Sequence, residues 1–215
     1  MPTVQQISNQ VNRKFIGLER QLKRILLAFY NKYIRGSQAP IELLKQKYEL
    51  QLRQIVAKAV SESWLYSLEI LKLKTGLDTP MTEKDLQGML RVAERMTNEF
   101  WETAGKNLRR ETEFQFDPKT HKLEEKQEFV TGAAMLGIGS FMLYLAFNEG
   151  MKSKADELNQ IILLRFTTRR DERVDPSFCK PEDGKVYGIT TNLTPPLHRH
   201  CRCKLIPIVA SAQTE

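Results

Sequence analysis

The chain has 215 residues, with 33 Lys and Arg against 26 Asp and Glu, a net charge of +7, and only three cysteines. That length can bury the core of one sizeable domain or two small ones, and so few cysteines exclude a disulfide-dense secreted module. An odd number of thiols points to a reducing compartment at synthesis. The start, Met1 to Gln6, has neither a positively charged stretch nor an apolar core, so no signal peptide is expected.

Charge is concentrated at the N-terminus. Between residues 1 and 35 stand seven bases, Arg13, Lys14, Arg20, Lys23, Arg24, Lys32 and Arg35, against the single acid Glu19. Val11, Phe15, Leu18, Leu22, Ile25 and Phe29 recur at helical spacing, which predicts an amphipathic helix with most of the bases on the opposite face. Such a face suits DNA, an acidic protein surface or anionic lipid, and equally the solvated exterior of a bundle. We take Arg13, Lys14, Arg20, Lys23 and Arg24 as the candidate polyanion-facing set.

Gly36 to Pro40 breaks this helix, and Pro40 suits the first turn of a second. Leu44, Tyr48, Leu52, Ile55, Ala59, Tyr66, Ile70 and Leu73 carry that helix to a stop at Gly76. After Thr79-Pro80 a third is predicted, with Leu86, Leu90, Ala93, Met96, Phe100, Ala104 and Leu108 on its apolar face. Long helices with short connections predict an elongated antiparallel bundle, with Trp64 and Trp101 as interhelical anchors. Glu113 to His121 alternates and then turns, which reads as a short hairpin or loop with His121 solvated. Phe129 to Phe147 is a run of nineteen residues without charge. It approaches the length of a membrane span, but Gly132, Gly137 and Gly139 equally suit a closely packed internal helix. A buried helix is the expectation, and no membrane partner.

All three cysteines and two of the three histidines lie between Cys179 and Cys203. His198 and Cys201 stand three apart after Pro195-Pro196, where a turn can aim both at one metal ion. The turn-rich stretch Lys180 to Lys185 can bring Cys179 back to them. Cys203, His200 and Asp175 are candidates for the fourth ligand. In an extended strand Cys201 and Cys203 would sit about 6–7 Å apart, too wide for adjacent thiolates on one zinc unless the chain bends. The other readings of the cluster are reduced thiols packed in a small core, or a disulfide.

These residues also carry a resemblance. Thr168-x-x-Asp171-x-Arg173-Val174, a cysteine shortly after, Asp183-Gly184-Lys185-Val186-Tyr187, Pro195-Pro196-Leu197-His198 and Cys201-Arg202-Cys203 follow one another in order. They are preceded by an apolar helix ending in Phe147-Asn148-Glu149-Gly150 and by the strand-like run Ile161 to Thr168. Over about residues 134–209 the chain resembles the Mu F-like minor head proteins of tailed phages. It departs from them at one place. The family often has Cys-x-x-Cys directly after the Asp-x-Arg motif, whereas here Asp175 stands near the first position and Cys179 is displaced by one.

The expected fold is predominantly helical α+β. A helical region (1–115) is followed by a connecting loop and buried apolar helix (116–157), then a small Mu F-like module (158–215), zinc-stabilised in this reading. The resemblance implies a structural minor head protein inside the head near the portal, assembled in the host cytoplasm and acting in head assembly or in genome packaging and ejection. The portal protein and other head proteins are the implied partners, with packaged double-stranded DNA as a further one. An enzyme is not expected, since no nucleophile signature surrounds Cys179 or Cys201 and a zinc holding four protein ligands has no open position for water. The alternative from another class is a zinc-dependent, nuclease-like DNA-processing protein.

Overall fold

Four long helices followed by a three-stranded sheet make up the computed structural model, which describes residues 4–114, 121–158, 162–168, 175–197 and 201–209. Side chains are described for 9–107, 134, 136–158, 162–168, 175–197 and 201–208. The helices are α1 (Val4–Tyr33), α2 (Ile41–Thr75), α3 (Glu83–Phe114) and α4 (His121–Glu157). At a rise of 1.5 Å per residue each is roughly 45–55 Å long, so their apolar stripes can share one extended core. The predominantly helical α+β expectation holds. The breaks are local: Gly76 takes the left-handed conformation (φ 72°) and its N–H donates to the Lys72 carbonyl at 2.8 Å, closing α2.

Helices α2 and α4 are the central pair, each packing on the other, on α1, on α3 and on the sheet. Centrality explains the charge-free run of α4: Ile138, Met142, Leu143, Tyr144, Leu145, Ala146, Phe147, Met151 and Ala155 are all buried, on every side of the helix. Among the described residues no helix is long and apolar enough to cross a membrane. The outer helix α1 instead buries one stripe, Val11, Phe15, Leu18, Leu22, Leu26 and Phe29.

Three expectations need correction. Ile25 is 38% exposed, and Leu26 takes its place in the core. Leu86 and Leu90 are 52% and 69% exposed, while Met89 and Val92 are buried. The inward row of α3 begins at Asp85, fully buried, so a match on apolar residues alone selects the neighbouring row. Finally, Glu113 and Phe114 end α3, and His121 opens α4 rather than standing in a loop; residues 115–120 lie outside the described ones.

Asp85 is the centre of a buried polar network at the start of α3. Thr82 and Asp85 form a reciprocal capping pair: the Asp85 N–H donates to Thr82 Oγ1 (3.3 Å) and the Thr82 N–H donates to Asp85 Oδ2 (2.9 Å). The indole of Trp64 donates to Asp85 Oδ1 at 2.9 Å, and Lys154 of α4 pairs with Oδ2 at 2.6 Å. Three helices therefore meet on one carboxylate. The indole passes between two glycines. A Cβ at Gly88 would run into its ring, and one at Gly150 would lie 2.5 Å from Ser67 Oγ and 2.9 Å from the indole Cδ2. Gly150→Ala should therefore cost about 1–3 kcal/mol by overpacking. Chemical denaturation of this variant beside Gly17→Ala, whose added Cβ meets nothing, checks it.

The sheet has the order β2 (Val186–Tyr187), β1 (Ile162–Thr167), β3 (Lys204–Val209), antiparallel throughout. Ile162, Leu164 and Phe166 alternate inward on β1, as do Leu205 and Pro207 on β3, the strand that packs on α2 and α4. The outer edge of β3 is blunted. The Leu205 N–H donates to the Asn148 side chain at 2.8 Å, and Pro207 has no N–H to offer. One continuous core joins sheet and helices, and it includes Cys179, Cys201 and Cys203.

Candidate metal centre

Cys179 sits at the end of a turn that Asp175 builds. Asp175 Oδ1 accepts from the Ser177 and Phe178 N–H groups at 2.8 and 3.0 Å, and its carbonyl accepts from the Cys179 N–H at 3.0 Å. The Asp175 carboxylate is thus occupied in shaping the turn, and it is not one of the clustered ligand atoms. Cys201 and Cys203 arrive from the other side, on a non-strand stretch directly before β3. These residues are not part of the strand, and their thiols come within 4.8 Å of each other and of Cys179.

What holds the stretch in place is Asn148 of α4, fully buried. Its side-chain amide donates to the carbonyls of Pro195 and Cys203, both at 3.0 Å, while its oxygen takes the Leu205 N–H. A buried amide in a charge-free helical run was the available signal for this residue, since such a group must have partners nearby.

The Sγ atoms of Cys179 and Cys201 are 3.6 Å apart, and all three sulfurs lie within 4.8 Å of one another. No disulfide joins them. A tetrahedral zinc with bonds of about 2.3 Å would set its sulfurs about 3.8 Å apart, so the three thiols fit one metal ion with little movement. His198 and His200 lie outside the described residues. Cys203, weighed above only as a fourth ligand, is a full member of the cluster.

Electrostatics favour one thiolate in the metal-free state. Cys201 is pulled down to about 5, first by the hydrogen bond from Cys203 and then by backbone N–H donors, against the opposing effect of burial. Burial, followed by the negative charge on Cys201, pushes the Cys179 thiol up to about 12. The hydrogen bond to Cys201 and burial likewise push Cys203 up. At neutral pH two of the three sulfurs therefore keep their protons, and a metal that takes all three must displace both. Affinity should climb about a hundredfold per pH unit near neutrality, and calorimetry in buffers of differing ionisation enthalpy should register two protons released per ion.

The basic helix is placed as follows. Arg13, Lys14, Arg20 and Arg24 are exposed. Lys23 is not outward-facing; it pairs with Glu19 at 2.6 Å and is half-buried. Glu19 is itself buried, accepting from Ser140 at 2.7 Å with Arg202 at 3.3 Å. Burial would raise this carboxyl, but the hydrogen bonds from Lys23 and Ser140 and the charges of Lys23 and Arg202 outweigh it and hold it below the usual range. The reason Lys23 turns inward is thus the one acid on its own helix, a turn away.

No protein-family model matches the chain, and no curated protein and no solved structure matches it either.

Proposed function

We propose that this chain is a structural minor head protein of a tailed phage or provirus, positioned inside the head near the portal, with its C-terminal unit clipped by zinc. The observation that carries the reading is convergence. Asn148, Cys179, Pro195 and Cys201 to Cys203 belong to separate stretches of the resemblance to Mu F-like proteins, and they meet around the three thiols. Chance matches scattered along a chain have no reason to meet. A set of buried thiolates suits a structural ion that locks loops together, since a structural zinc site is closed and built largely of sulfur.

In this role the partners are the portal protein and other head proteins, with packaged DNA passing close by, and the protein is carried in the virion. Mass spectrometry of purified virions should find it at low copy, and it should co-purify with the portal from disrupted heads. Abundance in infected cells with absence from virions would overturn the reading.

A further inference from the structure

Beside the thiol cluster lies a cleft of about 320 Å³ that the metal does not explain, formed where α1, the end of α2 and the sheet meet. Three cations from two places in the chain line it: Lys74 at the end of α2, and Arg202 and Lys204 around the start of β3. The hydroxyl-bearing Thr167 and Thr168 line it too, and among the described residues no carboxylate does. Lys204 is held in place, its ammonium 4.1 Å above the Phe15 ring centroid and 4.8 Å above that of Phe147, and donating to Asn12 at 3.1 Å. The floor, Ile16, Ile70 and Ile206, is apolar.

The cleft continues onto the basic ridge of α1. At 3.6 residues per turn, Arg13, Arg20 and Arg24 fall within about 80° of the cleft residue Ile16 around the helix, and all three are exposed. Glu19, the one acid of α1, is turned inward and neutralised by Lys23 and Arg202. Among the described residues, ridge and cleft therefore present one sign of charge.

We infer that this cleft and ridge form a seat for the phosphate backbone of double-stranded DNA, one phosphate entering between Lys74 and Lys204, beside the Glu19-paired Arg202, and its neighbours lying along Arg13, Arg20 and Arg24. Arginine forks match phosphate oxygens in pairs, the threonine hydroxyls add neutral donors, and the apolar floor suits the sugar. No base edge is read, so binding is independent of sequence. The inference rests on the reading of the protein as a head component beside packaged genome.

Fluorescence anisotropy with a short fluorescein-labelled duplex, repeated from low to moderate salt, tests it on the full chain. Lys74→Glu changes an exposed side chain and leaves the fold intact by circular dichroism. It should weaken binding about fivefold and lower the log–log salt slope by about one. Adding Arg20→Glu should deepen the loss beyond tenfold. Lys106→Glu carries the same charge change roughly 50 Å away along α2, near Ile41, and should stay within twofold of the parent. The inference is overturned if Lys74→Glu behaves like Lys106→Glu, if the parent does not retain the duplex at low salt, or if poly-glutamate competes as well as unlabelled duplex. Loss of DNA binding by a protein still found in virions sinks this inference alone. DNA binding by a protein absent from virions sinks the head-protein reading instead.

Discussion

Asp85→Ala is expected to remove about 3–5 kcal/mol of stability, a large share of the total. The substitution leaves the Lys154 ammonium, whose side chain is 2% exposed, without its buried counter-charge, beside only the partly exposed Glu157 and the Thr82 hydroxyl, and removes the acceptor of the Trp64 indole and of the Thr82 N–H. Breaking a buried pair from one side costs about 3–5 kcal/mol, against a total stability on the order of 5–15 kcal/mol. The double variant Asp85→Asn with Lys154→Met, which removes both charges at similar volume, should recover much of the loss. A cost below about 1 kcal/mol for Asp85→Ala, measured by urea denaturation, would contradict the network.

The same carboxylate sets an acid limit. Burial would raise Asp85, but hydrogen bonds from Lys154, Trp64 and Thr82 outweigh it and lower it from 3.8. A lowered folded value means that the unfolded chain binds the proton more readily. The stabilisation is therefore complete above the unfolded value and disappears as pH falls through the folded one. Glu19, lowered from 4.5, adds to the same limb. Lys154 behaves oppositely. Burial would lower it, but Asp85 and Glu157 raise it above 10.5, so its contribution is present below that value and is lost only as pH rises through the raised one.

The second large effect is expected from Leu143→Arg. Leu143 is fully buried at the middle of α4, and its carbonyl accepts from Ser63 of α2 at 2.6 Å, so the two central helices touch at this turn. An arginine there has no counter-charge and no route to water past the surrounding helices, a cost that exceeds what a marginally stable domain tolerates. The variant should be recovered only as aggregate or as a species without cooperative unfolding. A soluble variant with an unchanged thermal transition would mean that α4 is not the centre of the bundle.

The helices were legible because their apolar periodicity is long and their breaks are chemically explicit. Gly36 and Gly76 both adopt positive φ at the ends of α1 and α2, as residues that close helices do. The inward row of α3 was less legible for a physical reason. Its first buried member is a carboxylate, and a buried charge identifies itself only through a partner, here Lys154, 69 residues further along the chain. Cys179 and Cys201 were legible as members of a clustered thiol set because soft side chains are few. Cys203 was underrated because its reach depended on whether the backbone before β3 was extended or bent. Nothing local to Lys74, Arg202 and Lys204 announces a shared cleft, since only the tertiary fold brings the end of α2 to the start of β3.

Metal content decides most directly whether the thiol cluster is a metal centre that locks the C-terminal unit. Protein purified under reducing conditions should carry one zinc per chain by inductively coupled plasma mass spectrometry. Cys201→Ser should lower both the zinc content and the thermal midpoint, while chelation of the parent shifts its midpoint to that of the variant. A fully folded protein without metal, whose midpoint neither zinc nor chelator moves, would contradict the account.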